Sequence, residues 1–136
     1  MFVTEQDDSS SLLPIGTNQE KISGTRVASV EAAVPLTTLD AFTVEQALAG
    51  PILLKIDVQG NELKVLRGAV ASMAKIDTIY CECSYRELYE GQALADEVIA
   101  FLSLHGFEIA GVFNQTSTAE LGPVQADFLF RRAAAQ

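Results

Sequence analysis

The sequence predicts an α/β fold with a mainly parallel sheet, and two features in the middle of the chain carry that prediction. Residues 52–58 read ILLKIDV, in which five of seven residues are apolar and do not alternate with polar ones up to Asp57, and this is typical of a strand buried on both faces of a parallel sheet. After a short turn at residues 57–60, a helix is expected from Asn61, because apolar side chains then recur at helical spacing: Leu63, Leu66, Val70 and Met73. A strand followed directly by a helix is half of a βαβ unit.

The length and composition of the chain fit one folded domain. The 136 residues, 49% of them hydrophobic, suffice for a single core. The net charge of −9 speaks against nucleic acid or an anionic membrane as a partner, because phosphate binding needs clustered Lys and Arg. The sequence has neither a signal-peptide pattern nor an apolar run of about eighteen residues, so the expected location is the cytoplasm.

The expected organisation is a single domain over residues 1–136. Within it, residues 1–50 form peripheral structure, residues 51–132 form the α/β core, and residues 133–136 form a frayed tail. In the peripheral part, residues 1–4 can be the end of a strand, and nothing up to Gly24 predicts a helix. Residues 25–39 are rich in Val and Ala and predict one or two strands, peripheral because Pro35 cannot donate to a β-ladder.

Three helix signals follow. Thr43 and Gln46 have the spacing of a capping box, so a short helix is expected to begin at Thr43. Ser84 and Glu87 have the same spacing and predict a second short helix. Residues 92–105 carry an apolar stripe that ends before Gly106, which predicts a third.

The remaining strands are predicted from short apolar runs. Residues 76–83 predict a second buried strand, and residues 107–113 and 126–131 predict the last two. A polar loop without a helix, residues 114–125, separates these last two strands, which favours antiparallel pairing.

The two cysteines, Cys81 and Cys83, alternate with Glu82 on the predicted strand. Residues at i and i+2 share a face, where small thiols pack well, and a disulfide between them would strain extended backbone. Buried free cysteine is therefore the preferred interpretation. A metal site or a metal-assisted hydrolase lacks support, because the sequence has no CxxC spacing and its only histidine, His105, suits a helix C-terminus.

Residues 55–69 read KIDVQGNELKVLRGA, which resembles the FkbM-type methyltransferase signature KIDVEGxExxVLxGA. The TLD step at residues 38–40 matches a second block of that family, in the right order. Gln59 departs from the pattern, since the family usually has a glutamate there. The resemblance covers roughly residues 2–132, but only the second half of the family domain. The VDVGANxG-like turn of the family does not occur before Asp57, so a truncated form is expected.

The resemblance implies a partial Rossmann-like class I methyltransferase sheet with a C-terminal antiparallel strand pair. It implies S-adenosylmethionine-dependent O-methylation of a hydroxyl on a sugar or polyketide-like small molecule. The rival hypothesis is a non-catalytic α/β module that oligomerises or pairs with a partner. If a neighbouring strand is absent, residues 52–57 form an open apolar edge, so residues 2–4 or 27–39 are expected to cover it, or two copies to pair as a homodimer.

Candidate site residues lie where the central strands end, because ligands of open α/β sheets bind beyond the carboxyl ends of strands. Methyl transfer needs an oxygen nucleophile that is aligned and relieved of its proton. The catalytic candidates are Asp57 and Glu82, the substrate-binding candidates are Gln59, Asn61 and Glu62, and the resemblance to an SSL block of the family suggests Ser10 and Ser11 for the cofactor.

Structural alternatives remain for these acidic residues. Asp57 can instead accept backbone N–H groups of the turn, or it can simply be solvated there. The helix dipole alone would explain Glu62, and Glu82 can pair with Lys55 or Arg86. No metal ligand is assigned, although a crevice of three carboxylates would suit Mg²⁺ as well as a polyhydroxylated acceptor.

Overall fold

A computed structural model of the chain describes residues 1–4, 10–23 and 28–133. Its strands are β1 (Phe2–Thr4), β2 (Ser29–Glu31), β3 (Leu53–Ile56), β4 (Thr78–Ser84), β5 (Phe107–Thr118) and β6 (Gly122–Arg132). Its helices are α1 (Thr17–Ser23), α2 (Leu39–Val44), α3 (Glu62–Arg67) and α4 (Ala95–Leu104), and a 3₁₀ helix spans Ser72–Lys75. Residues 25–27 of the predicted peripheral strand and residues 134–136 of the predicted tail lie outside the described ranges.

Four strands form the main sheet, in the order β3-β4-β6-β5. β3 and β4 are parallel, with Ile56 opposite Cys81, whereas β4–β6 and β5–β6 are antiparallel. The α/β class and the antiparallel pairing of the last two strands are thus confirmed. The sheet is mixed rather than mainly parallel, because only one of its pairs is parallel.

The core lies between one face of this sheet and helices α3 and α4. Ile79, Cys81 and Cys83 alternate along β4 toward that face and are at most 2% exposed, and Leu66 and Leu102 meet them from the helices. Both thiols are free and buried, which confirms the interpretation of the two cysteines.

The helical stripe of the central motif is confirmed only in part. Leu63, Leu66 and Met73 are buried, but Val70 is 47% exposed and Ala69 is buried in its place. The reason is that α3 ends at Arg67 and the chain turns before the 3₁₀ helix, which shifts the inward position by one residue.

The prediction that residues 52–56 are buried on both faces is wrong. β3 is the terminal strand of the sheet, and its residues alternate in exposure, with Leu53 62% exposed and Lys55 also exposed. Neither segment expected to cover this edge pairs with it: β1 pairs with β2 in a separate two-stranded sheet. In the described part of the chain, one backbone edge of β3 therefore has no partner strand.

The N-terminal segment attaches to the loop that follows β4. Gly16 N–H donates to Leu88 O at 2.7 Å and Glu90 N–H donates to Pro14 O at 2.9 Å. The structure also contains α1, which corrects the expectation of no helix before residue 24. Its residues show no apolar periodicity and none is buried, so the helix is held by surface contacts such as the Lys21–Glu120 ion pair.

Helix α2 begins before the predicted Thr43. Thr38 is the N-cap, and its side chain accepts from Ala41 N–H at 3.1 Å. Asp40 fixes this start, because one carboxylate oxygen accepts from the amide and the hydroxyl of Ser72 and the other accepts from Ala71 N–H. These hydrogen bonds from Ser72 hold the pKa of Asp40 below its ordinary value. The capping spacing at Thr43 was coincidental.

Two other boundaries differ from prediction. No helix forms at Ser84–Glu87, because Ser84 continues β4 and pairs in register with Gln125 of β6. The expected polar loop at residues 114–125 is mostly strand: β5 runs to Thr118 and β6 begins at Gly122. Polar residues exposed on both faces of a hairpin resemble a loop in sequence, which explains the error.

Candidate active site

The centre of the candidate site is the turn that joins β3 to α3. Gln59 and Gly60 both have positive φ, 51° and 96°. Glu62, 4% exposed, folds back so that its carboxylate accepts from Gly60 N–H at 2.9 Å. Ser11 donates its hydroxyl to the Gln59 carbonyl at 2.5 Å and accepts from Leu13 N–H. The turn is therefore held from inside by Glu62 and from the N-terminal segment by Ser11.

The two catalytic candidates are brought together by one side-chain amide. Gln59 Nε2 lies 3.0 Å from Asp57 Oδ1 and 3.3 Å from Glu82 Oε2. The other oxygen of Glu82 accepts from Gln125 Nε2 at 2.8 Å, and Asp57 Oδ2 accepts from Lys55 Nζ at 2.8 Å. Because β3 and β4 are parallel, their ends place both carboxylates at one edge of the sheet, as predicted.

The structure chooses among the alternatives for these acids. Glu82 bonds to two glutamine amides, whereas Lys55 pairs with Asp57 and Arg86 donates to the Leu121 carbonyl. Asp57 accepts from the side chains of Lys55 and Gln59. Asp57 is therefore ion-paired with Lys55 and partly exposed to solvent, whereas the contacts described for Glu82 are hydrogen bonds from glutamine amides rather than the ion pairs considered for it.

A second polar cluster lies beside the first on the same face of the sheet. Asp127 is opposite Glu82 in the β4–β6 register, and its Oδ2 accepts from Tyr80 Oη at 2.9 Å and from Asn114 Nδ2 at 2.7 Å. Strand neighbours on one face lie close enough for side chains to interact. Asp127 thus adds negative charge next to Glu82.

Glu82 has an unusual protonation equilibrium. Burial, followed by the repulsion of Asp57, Asp127 and Glu62, raises its pKa to about 7, although the hydrogen bond from Gln59 opposes this. Burial likewise raises the pKa of Glu62, against the lowering effect of backbone amides in its turn. A carboxyl group with a pKa near 7 is suited to take up and release protons under physiological conditions.

The other predicted site residues lie around the turn but differ in access. Asn61 and Glu62 are each 4% exposed, and among the described residues neither polar side-chain atom of Asn61 has a hydrogen-bond partner. Ser10 accepts from Thr4 N–H at 3.1 Å. Ser11 is buried against the turn. The assignments of Asn61 and Glu62 to substrate and of Ser10 and Ser11 to cofactor stay predictions, and the burial of Asn61, Glu62 and Ser11 does not favour direct contact.

Sequence reasoning missed three residues of this site. Tyr89 donates its hydroxyl to Gln59 Oε1 at 2.7 Å, Gln125 binds Glu82, and Asp127 faces it. Asp127 had a signal, since it alternates with apolar residues on a predicted strand. Gln125 falls within the predicted polar loop, and Tyr89 lies in a loop whose path depends on tertiary contacts, so the sequence pattern indicates neither residue.

Two features of the described ranges concern metal binding and membranes. Residues 1–4, 10–23 and 28–133 contain no group of three or more His, Cys, Asp or Glu side chains arranged to hold a metal ion, so the suggestion of Mg²⁺ gains no support. In the same ranges, no helix has the length and apolar character needed to span a membrane.

Comparison with known proteins identifies the family. Residues 2–109 match the family described as "Methyltransferase FkbM domain". The 2-O-methyltransferase NoeI of Sinorhizobium fredii is 35% identical over 81 residues, which are 60% of this chain and 32% of that protein. The norsolorinic acid reductase stcV of Emericella nidulans is 34% identical over 97 residues, 71% of this chain and 24% of that protein.

The two relatives carry names of different activities, a methyltransferase and a reductase, and the chain spans about a third or less of the length of each. No solved structure matches the chain. The family match, in contrast, covers most of the chain and includes the turn with Asp57 and Gln59. The chain belongs to the FkbM methyltransferase family.

Proposed function

We propose that the chain carries the acceptor-side residues of an S-adenosylmethionine-dependent O-methyltransferase with a partial Rossmann-like sheet. The acceptor is a hydroxyl on a sugar or polyketide-like small molecule. The observation that supports this most is the joint hydrogen bonding of Asp57 and Glu82 to Gln59 at the ends of two parallel strands. Family membership supplies the reaction class, methyl transfer.

In this proposal the two carboxylates have different roles. Asp57, held by Lys55 and Gln59, accepts a hydrogen bond from a neighbouring hydroxyl of the acceptor and so orients the oxygen of the hydroxyl that is methylated. Glu82 takes the proton of that hydroxyl, because its raised pKa of about 7 makes it the better proton acceptor near neutral pH. Gln59 keeps the two carboxylates at fixed positions relative to each other.

The described residues fit one end of the cofactor. S-adenosylmethionine would supply the methyl group from a sulfonium cation, and the cluster of Asp57, Glu82 and Asp127 provides negative charge next to such a cation. The turn provides no cradle for the nucleoside, because the space that a Cβ on Gly60 would need is filled by Leu13, Tyr89 and Gln92. We expect the nucleoside to be held by other residues.

A labelled-methyl assay tests the proposal. The protein is incubated with S-adenosylmethionine carrying a radioactive methyl group and with two sets of acceptors, simple sugars and phenolic polyketides. We expect label in at least one acceptor, and its loss in Asp57→Asn with an unchanged circular dichroism spectrum. The proposal fails if the cofactor binds in calorimetry but no hydroxylated acceptor becomes labelled, or if the variant is as active as the parent.

One observation favours a second candidate function, a non-catalytic module that pairs through its edge. β3 has no partner strand on one side in the described part of the chain, and Leu53 is 62% exposed there. Phe42 and Leu48, 54% and 44% exposed, line an apolar cavity of about 80 Å³ with residues of β3. Unpaired apolar edges favour association with another chain. A homodimer is the simplest such assembly.

Leu53→Lys tests this alternative. A lysine on the edge strand should prevent pairing, because a second strand would have to bury or repel its charge. If the edge mediates a homodimer, light scattering should show twice the chain mass for the parent and a single chain mass for the variant. Leu104→Lys is the matched control, since Leu104 is 85% exposed at the end of α4. A monomeric parent would contradict the dimer.

A further inference from the structure

Tyr89 connects the loop after β4 with the candidate site. Its side chain is only 1% exposed and packs with Leu88 and Val124 in a small second core. Its backbone N–H donates to Gln92 Oε1 at 2.7 Å, and its hydroxyl lies 2.7 Å from Gln59 Oε1. Because both the ring and the backbone of Tyr89 are held in place, its hydroxyl has a fixed position next to the Gln59 side chain.

We infer that Tyr89 is a positioning residue, whose hydroxyl fixes the side-chain amide of Gln59 so that the amide nitrogen faces Asp57 and Glu82. A hydroxyl hydrogen prefers the amide oxygen, and two carboxylates prefer the amide nitrogen. The reverse orientation would bring Gln59 Oε1 against two carboxylate oxygens. This inference rests on the proposed function, because orienting the carboxylates matters to catalysis only if they act on the acceptor.

The backbone of Gln59 is held from a different side. Its φ of 51° is uncommon for a residue with a side chain, and Ser11 fixes its carbonyl at 2.5 Å. Gly60, next in the chain, packs against Tyr89 so closely that an added Cβ would lie 3.0 Å from Tyr89 Cβ. The N-terminal segment thus sets the backbone of the turn, and Tyr89 sets the direction of the Gln59 amide.

The charged and polar groups around Glu82 determine how its ionisation changes when the Gln59 side chain is no longer fixed. They come from every neighbouring element: Lys55 and Asp57 from β3 and its end, Gln59 from the turn, Glu62 from α3, and Gln125 and Asp127 from β6. The acidic members disfavour the charged form of Glu82, and the Gln59 hydrogen bond favours it. Loss of the Tyr89 hydroxyl should therefore make Glu82 harder to ionise.

The test is Tyr89→Phe, which keeps the ring and removes the hydroxyl. Carboxyl carbon NMR of the full chain should show the titration midpoint of Glu82 rising by about half a unit as its donor becomes loosely held. With substrate, kcat should fall about tenfold with little change in KM. The apparent pKa in the pH dependence of kcat should rise by the same amount as the Glu82 midpoint measured by NMR. Tyr85→Phe is the control, since the Tyr85 ring packs edge-on against Phe128 outside this network.

The outcomes separate this inference from the proposed function. An unchanged Glu82 midpoint in a folded Tyr89→Phe protein overturns the positioning role, whatever the activity. A raised midpoint in a protein without methyl transfer supports the hydrogen-bond arrangement and counts against the function instead. If Tyr89→Phe does not fold, Gln59→Met removes the amide that Tyr89 holds and should raise the Glu82 midpoint by at least about half a unit, because the donor is then absent. An unchanged midpoint in that variant also overturns the inference.

Discussion

Glu82→Gln should slow methyl transfer by about 10²–10⁴-fold, the usual contribution of a positioned general base. Glutamine nearly keeps the shape of glutamate and can still accept one of the two amide hydrogen bonds from Gln59 and Gln125, but it cannot take a proton from the acceptor. Rates are best measured between pH 6 and pH 9, because the parent should gain activity as Glu82 ionises around its pKa of about 7 and the variant should not.

The same variant should alter the pH dependence of stability. The pKa of Glu82 is about 7 in the folded protein against 4.5 without the fold, so between these values the native state binds more protons than the unfolded state. The free energy of unfolding therefore falls as pH rises from about 4.5 to about 7. Above that range it is lowered by the full cost of ionising Glu82 in the folded protein. Because Glu82 is only partly buried, we expect Glu82→Gln to remove about 1 kcal/mol of this pH-dependent loss.

Urea unfolding at pH 5 and pH 8 measures this change. The free energy of unfolding of Glu82→Gln minus that of the parent should be larger at pH 8 than at pH 5. The control is Glu108→Gln, which changes an exposed carboxylate on β5. A constant difference at both pH values would show that Glu82 ionises in the folded protein as it does in the unfolded chain.

Gly60→Ala should destabilise the protein by about 2–4 kcal/mol, since two costs combine at this position. The φ of 96° is unfavourable for any residue with a Cβ, and the added atom would lie 3.0 Å from Tyr89 Cβ and 3.1 Å from Gln92 Cβ. Because both of these neighbouring atoms are Cβ atoms, a rotation of the Tyr89 or Gln92 side chain cannot move them away. The midpoint of urea unfolding should fall without a change in its slope.

Gly91→Ala separates the two costs. Gly91 also has positive φ, 70°, but an added Cβ would meet no atom of the described residues within 4 Å. It should therefore cost only about 1 kcal/mol, the conformational part. Equal losses in the two variants would mean that the contacts around Gly60 relax freely, and that the turn does not depend on its packing against Tyr89.

The sequence predicted the positions of the two candidate carboxylates better than the contacts around them. The apolar runs at residues 52–56 and 76–83 established two strands, and parallel pairing then places Asp57 and Glu82 together without further information. Burial of Cys81 and Cys83 followed from their alternation with Glu82. Periodic patterns of this kind predict structure reliably, because they reflect the contact of a whole face of a strand with the core.

Local signals were less reliable where tertiary contacts decided the outcome. The capping spacing at Ser84 predicted a helix, yet pairing with β6 extends the strand through that residue. The link between Tyr89 and Gln59 depends on how residues 13–16 hold the loop at residues 88–90, which no short window of sequence contains. In the described part of the chain β3 has one unpaired edge, and the segments predicted to cover such an edge pair with each other instead.

The position of β4 in the sheet has a consequence for engineering. β4 is hydrogen-bonded on both sides, to β3 and to β6, so Glu82 is held by two ladders, while the β5–β6 connection at residues 119–121 lies at the far tip of a long hairpin. Loop tips tolerate insertion and exchange better than paired strands do. Because Glu120 in this tip pairs with Lys21 and the Leu121 carbonyl accepts from Arg86, libraries that vary residues 119–121 should loosen α1 and the loop after β4 but leave the strand that carries Glu82 intact.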